Sequence, residues 1–268
     1  MLTSLILGLA VGLILALTGA GAGILAVPLL VFGTHIGMAQ AGPIGLMAVG
    51  MAAALGAILG LRAGLVRYRA ALLVAATGML LSPVGLWIAH RIDNRWLGML
   101  FALVLLYVSF NTFRKARGGK SPAPDGRHRQ PVCVRAPDTG RFIWTRPCAR
   151  ALTLSGSVAG LLSGLLGVGG GFVMVPALQR YTDLAMQSAV ATSLAVIALI
   201  SMAGVASSAA AGALAWSIAL PFSAGALAGM LGGRSLSARL SGVHLQTAFA
   251  AVSALVALGM IAKALLYA

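Results

Sequence analysis

Long apolar stretches separated by short polar turns run along the chain, and one hydrophilic segment near the middle divides them into two sets. Apolar runs of about 20 residues are long enough to cross the hydrocarbon core of a bilayer as helices. The strands of a transmembrane barrel would instead alternate over short segments. The pattern therefore predicts an all-α polytopic membrane protein, with spans at 42–61, 70–90, 96–113, 187–210, 218–233 and 245–266.

Each set opens with an apolar stretch that a cluster of glycines interrupts, at 18–30 in the first and at 166–178 in the second. Glycine clusters break helices and let the backbone approach a neighbour closely. Irregular backbone at membrane depth is tolerated only where it is buried in protein or lines a cavity. Matching breaks in two halves of a membrane protein are the sequence pattern of a transport site.

The two sets are related by a constant offset of 148 positions, as from Gly19 to Gly167. Matches at this offset extend from the glycine breaks over most of both sets, which favours an internal duplication. We expect a first repeat at 1–113, a connecting segment at 114–150 and a second repeat at 151–268. Further matched pairs are Gly21 with Gly169, Gly23 with Gly171, Pro28 with Pro176, Gly56 with Gly204, and Gly85 with Gly233.

The basic residues decide between two topologies. If each glycine break is the tip of a re-entrant hairpin, each half adds three spanning helices and the two repeats are inverted. The cytoplasmic side then holds 16 of the 19 Lys and Arg residues. If each broken segment crosses the membrane once, the repeats are parallel and that side holds 14. The excess of basic residues on cytoplasmic loops favours the inverted arrangement, with both termini outside.

Charge is scarce and concentrated. Only 9% of residues are charged and the mean hydropathy is +0.99, whereas a soluble domain would carry about 25% charged residues. Ten of the 19 basic residues lie in 114–150, which indicates a cytoplasmic loop facing anionic lipid and not a nucleic-acid partner. The loop is predicted to be disordered at 118–130 and to form a small β-hairpin at 132–145. Its Cys133 and Cys148 are expected to be reduced in the cytoplasm.

The absence of buried acids bears on the substrate. The chain has no Glu, and its four Asp residues lie in or near loops, whereas cation transporters usually place carboxylates inside the bundle. An anionic or neutral solute fits better. The glycine clusters are not nucleotide-binding loops, because they lack the preceding strand of a βαβ unit. No grouping of catalytic residues, metal ligands or cofactor motifs is evident, so neither an enzyme nor a cofactor is expected.

Two hairpin tips can bind an anion without a buried cation. A helix N-terminus presents unsatisfied N–H groups and a partial positive charge. Each candidate has an alternative explanation. The glycines can simply permit tight packing, and serine and threonine hydroxyl groups can bond to the backbone of their own helix. His35 and Asp183 can be residues at the edges of loops. The candidate substrate-binding residues are Gly19, Gly21, Gly23, Gln40, Gly167, Gly169, Gly170, Gly171, Gln187, Ser188, Thr192 and Ser193, and the candidates for gating or proton transfer are His35 and Asp183.

One stretch resembles a known family. Residues Gly160-Leu-Leu-Ser-Gly164-Leu-Leu-Gly-Val-Gly-Gly-Gly171-Phe-Val-Met-Val-Pro176, followed by Ala191-Thr-Ser-Leu194, are similar to the TauE/SafE family of sulfite and organosulfonate exporters. The resemblance covers both halves, although Ala22 replaces Gly170 in the first copy. It implies an inner-membrane permease, with inverted repeats and a homodimer, for sulfite, thiosulfate or sulfonates such as sulfoacetate. The alternatives are a permease for another small solute and a membrane assembly or lipid-binding protein without transport.

Overall fold

The structure is a computed structural model that describes residues 2–18, 23–34, 36–117, 132–133, 145–237 and 251–262. The described residues form ten α-helices and no strands. The helices are α1 Leu2–Thr18, α2 Gly23–Thr34, α3 Met38–Arg62, α4 Tyr68–Arg91, α5 Asn94–Arg117, α6 Arg146–Leu166, α7 Gly171–Tyr181, α8 Met186–Ala210, α9 Trp216–Ser237 and α10 Ala251–Ala262.

Six of these helices are long and apolar enough to cross a membrane, namely α3, α4, α5, α6, α8 and α9. Large apolar side chains such as Leu80, Trp87 and Leu103 are exposed on the outside of the bundle, where a bilayer would cover them. The protein is therefore a multi-pass membrane protein. The 12 residues of α2 and the 11 of α7 are too few to span at about 1.5 Å per residue.

Most helices begin and end within a few residues of their predicted bounds. The helix α6 begins at Arg146, before the repeat boundary expected at 151, because Thr145 caps it and accepts a hydrogen bond from the backbone N–H of Cys148. At 21 residues, α6 is long enough to span, although the sequence analysis treated it as one arm of a hairpin. Pro28 and Pro176 occupy equivalent positions in the interior of α2 and α7.

The helices α3 and α8, which are equivalent in the two halves, pack against each other in antiparallel directions. A Cβ added to a glycine of one helix would contact the other helix, and the residue numbers of the contacts fall along α8 as they rise along α3. The small glycine and alanine side chains allow this close approach. The contacting pairs are Leu46 with Gly204, Gly50 with Ser201, Gly56 with Leu194, and Gly60 with Ala191.

The outer helices pair between the halves, α1 with α9 and α4 with α6. The stripes of glycine at four-residue spacing on α6 and α9 lie at these contacts, so they serve packing inside the chain. The contacts of α1 with α9 match those of α4 with α6. Adding 148 to the residue of the first half and subtracting 148 from that of the second converts one contact into the other. Corresponding pairs are Gly8–Phe222 and Gly156–Val74, Gly12–Ala226 and Gly160–Gly78, and Gly233–Ala16 and Gly85–Gly164.

The expectation of two reduced cysteines is wrong in this structure, because Cys133 and Cys148 form a disulfide with their Cα atoms 5.0 Å apart. Both side chains are fully buried in an apolar cluster with residues of α4, α6, α7 and α8. The backbone N–H of Cys133 also donates to the carbonyl oxygen of Tyr181 at 2.9 Å. Cys133 is thus held at the end of α7 and linked to α6. The predicted disorder at 118–130 and most of the predicted β-hairpin lie outside the described residues.

Loss of this disulfide is expected to destabilise the second half. In the chain-entropy account, closing a loop of 15 residues contributes about 3 kcal/mol. Reduction, or the change Cys148→Ser, should therefore lower the thermal unfolding midpoint of the purified protein in detergent. Added reductant should leave the Cys148→Ser variant unchanged. Uptake of two maleimides by the denatured, unreduced protein would contradict the disulfide.

Candidate functional site

The second glycine break is a tight turn between α6 and α7. Gly167 ends α6 with a positive φ of 69°, and Gly169 and Gly170 follow with φ of 73° and 67°. Glycine adopts this left-handed backbone without the steric cost that a Cβ imposes. Residues 167–171 are all buried. The glycine cluster therefore reverses the chain inside the protein, as the sequence analysis expected of a break in the helix.

The packing around this turn leaves almost no space for side chains. A Cβ at Gly170 would lie 2.5 Å from the carbonyl oxygen of Ala159, and one at Gly169 would lie 2.8 Å from the side chain of Ile197. A Cβ at Gly167 would collide with the backbone of Gly42. Close packing against α6 therefore already requires glycine at position 170, and a part for Gly170 in binding stays a prediction.

The start of α2 adjoins the second break. A Cβ at Gly23 would lie 2.6 Å from the carbonyl oxygen of Val168, so the N-terminus of α2 and the turn before α7 meet inside the protein. The first two N–H groups of α7, on Gly171 and Phe172, have no carbonyl one turn earlier within the helix, as at any helix start. The other candidates in and beside the first break, Gly19, Gly21 and His35, lie outside the described residues.

The predicted polar residues fall into two groups. On α8, Ser188, Thr192 and Ser193 are buried. Ser193 donates to the carbonyl oxygen of Val190 at 2.8 Å, which is the bond to its own helix backbone that was the alternative to substrate binding. By contrast Gln40 and Gln187 are exposed near the starts of α3 and α8, so the structure does not bring them to the centre. Asp183 is half-buried in the connection between α7 and α8.

Two polar residues near these helices were not singled out from the sequence. Arg67, in the connection between α3 and α4, donates its backbone N–H to Thr192 Oγ1 at 3.1 Å. Its side-chain Nε is buried and has no hydrogen-bond partner among the described residues. Ser201 on α8 has a buried hydroxyl in the same condition, beside Gly50 and Gly169. Nothing in the sequence pattern separates Arg67 from the basic residues around it, because its contact lies 125 positions away.

A cavity of about 330 Å³ lies between α3 and α8. Ser201 supplies its hydroxyl, and apolar side chains form the rest of the wall. An oxyanion without hydrogen-bond partners is unfavourable in such surroundings. The cavity therefore does not by itself define an anion site. Its lining residues are Leu46, Met47, Gly50, Met51, Ser201, Met202, Val205 and Ala206.

Two short helices whose starts meet inside a bundle of membrane-spanning helices are typical of a transporter. The comparisons with known proteins agree. The family model described as sulfite exporter TauE/SafE matches residues 4–260, and the chain belongs to this family of membrane transporters. The suspected resemblance is thus confirmed.

The chain is similar to curated proteins along most of its length. It is 30% identical over 236 residues to a probable membrane transporter protein of Xylella fastidiosa strain Temecula1, a match that covers 86% of this chain and 82% of the relative. It is 27% identical over 229 residues to the probable membrane transporter protein YunE of Bacillus subtilis strain 168, with 82% of each chain covered. No solved structure matches the chain significantly.

The packing of the second turn predicts unequal effects of two alanine substitutions. Gly64 and Gly170 have nearly the same φ, 68° and 67°, but a Cβ at Gly64 would contact nothing within 4 Å. Gly64→Ala should cost only the left-handed backbone term of roughly 1–2 kcal/mol. Gly170→Ala should cost a further ~1–3 kcal/mol for overpacking against Ala159. Thermal unfolding of both variants in detergent measures the difference, and equal midpoints would contradict the packing.

Proposed function

We propose that this transporter exports small sulfur-containing anions, such as sulfite, thiosulfate or organosulfonates resembling sulfoacetate, by alternating access around a central site. The observation that carries the proposal is the contact between Gly23, at the start of α2, and Val168, in the turn before α7. The start of α2 and the turn that leads into α7 are thereby buried side by side. The family description names sulfite export, and the curated relatives are named only as membrane transporters.

Backbone N–H groups are proposed as the main anion ligands. Each helix N-terminus stabilises a negative charge by ~0.3–1 kcal/mol at an exposed position and by more when partly buried. Gly171 and Phe172 supply such groups at the second tip, and Gly23 begins the first short helix. The close packing of the turn around Gly169 and Gly170 means that access requires movement of the helices that surround it.

We propose that the repeats are inverted, each with a re-entrant hairpin of one longer and one short helix. The antiparallel packing of α3 against α8 supports inversion, because parallel repeats would place these equivalent helices in the same direction. The contacts of α1 with α9 and of α4 with α6 exchange under the same offset. Two half-sites related in this way can open in turn toward the two sides of the membrane.

The segment 114–150 is proposed to face the cytoplasm of a plasma-membrane protein, since 16 basic residues then lie inside and 3 outside. The disulfide argues against a cytoplasmic position, because such bonds persist mainly in oxidising compartments. The charge asymmetry supports the cytoplasmic position, and a fully buried disulfide is shielded from attacking thiolates. Single cysteines at the positions of Arg95 and Arg114, near opposite ends of α5, test the topology. An impermeant maleimide should label only the first in intact cells.

A homodimer would need a surface other than the glycine stripes of α6 and α9, because those stripes are occupied by α4 and α1. The exposed apolar side chains on α5, which include Leu103, Tyr107 and Phe110, are available to a second copy or to lipid. We retain the homodimer as part of the proposal. Light scattering that gives the mass of a single chain after subtraction of detergent would count against it.

Counterflow in proteoliposomes tests the function. Vesicles preloaded with sulfite should take up labelled sulfite through the protein, and external thiosulfate or sulfoacetate should compete. Uptake of another solute in place of these anions would indicate a permease of different substrate class. Absence of flux for every small anion, with lipid retained tightly on purification, would indicate an assembly or lipid-binding role. Protein-free vesicles serve as the control.

A further inference from the structure

The contact between the α3–α4 connection and α8 contains donors that have no acceptor. Thr192 is 1% exposed, and its Oγ1 accepts the backbone N–H of Arg67 at 3.1 Å. Its own hydroxyl hydrogen has no acceptor among the described residues, although threonine in a helix commonly donates to the preceding turn. The buried Nε of Arg67 likewise lacks an acceptor there. A hydroxyl group and a guanidinium Nε–H that both lack acceptors are complementary to an oxyanion.

Leaving these groups unsatisfied is unfavourable. A buried polar group without a hydrogen bond costs roughly 1–3 kcal/mol, and a charged group costs more. Ser188 lies one helical turn before Thr192 on the same face of α8 and is also buried. An anion that accepts hydrogen bonds from these side chains would remove that cost. The positive charge of the guanidinium group would in turn compensate the negative charge of the anion.

The arrangement occurs in only one half. At the offset of 148, Ile44 stands in place of Thr192 and Ala215 in place of Arg67. Neither residue can donate a side-chain hydrogen bond. An anion would therefore bind more tightly at the end of the protein that has Arg67 and Thr192 than at the repeat-equivalent end. The central tips do not account for Arg67, which belongs to the connection between two spanning helices.

We propose that Arg67, Thr192 and Ser188 form an oxyanion-binding site where the α3–α4 connection meets α8. Its ligand class is a small oxyanion with at least two acceptor oxygens, such as sulfite or thiosulfate. The site rests on the proposed anion transport and adds a side-chain cation to it. Arg67 contributes charge and the Nε donor, and Thr192 contributes its hydroxyl group while holding the connection in place through its own acceptor oxygen.

Binding of sulfite and thiosulfate to the purified full-length protein, measured by calorimetry, tests the site. Arg67→Gln should weaken binding by ~10-fold or more, the effect of losing a hydrogen bond to a charged group. Arg62→Gln and Arg69→Gln remove a charge from exposed residues in the same region and should leave affinity unchanged. Thr192→Val should weaken binding by several-fold, whereas Thr192→Ser, which keeps the hydroxyl group, should bind like the native protein.

The outcomes separate this inference from the proposed function. If the native protein binds neither anion, both fail. If it binds them and Arg67→Gln behaves like Arg62→Gln, the site is overturned while anion transport stands. If Arg67→Gln does not fold, Arg67→Lys and the two Thr192 variants decide. Equal affinities of Thr192→Val and Thr192→Ser would then refute the site, and selective loss in Thr192→Val would support it.

Discussion

The antiparallel contact between α3 and α8 is the interaction on which the rest of this structure depends. Small residues along both helices let their backbones approach closely, in an environment where lipid removes the usual hydrophobic advantage of burial. Both helices also contact the turn between α6 and α7. Gly42 and Gly45 of α3 touch the turn at Gly167, and Ile197 of α8 touches Gly169. The start of α2 and the turn before α7 therefore meet beside residues of α3 and α8.

Much of this organisation could be predicted from residues, such as glycine, whose presence reflects the conformation of the backbone. The glycine clusters indicated the breaks, because irregular backbone inside a membrane bundle needs flexible residues, and the constant offset indicated equivalent halves. Residues whose roles depend on facing partners could not be predicted. Gln40 and Gln187 are polar residues near helix starts in the sequence, yet both are exposed. Which side of a helix faces the interior is decided by neighbours that a single periodic pattern does not identify.

Long-range contacts account for the other differences. The pairing of Cys133 with Cys148 depends on the position of α7, whose Tyr181 carbonyl oxygen holds the strand-like segment at Cys133. The contact of Arg67 with Thr192 joins the two halves. Gly170 lies in the turn between α6 and α7, where its contact with Ala159 requires glycine whether or not a ligand binds there. Packing requirements and binding requirements coincide at these glycines, so substitutions there cannot separate them.

The two halves share a backbone arrangement but differ in chemistry. The donors at Thr192 and Arg67 and the disulfide belong to one end, while the equivalent positions Ile44 and Ala215 are apolar. Repeated halves permit alternation between two similar states. The oxyanion site proposed at Arg67 and Thr192 would make the affinity for the substrate differ between those two states.

Intramolecular cross-linking between α3 and α8 tests the central claim most directly. In a variant without Cys133 and Cys148, cysteines replacing Gly60 and Ala191 should form a disulfide on mild oxidation, because a Cβ at Gly60 would lie 3.0 Å from that of Ala191. Parallel packing would instead bring Gly60 near its repeat equivalent, Ser208. Oxidation of the Gly60→Cys, Ala191→Cys protein should therefore block maleimide labelling. A cross-link in Gly60→Cys, Ser208→Cys, with none in the first pair, would contradict the account.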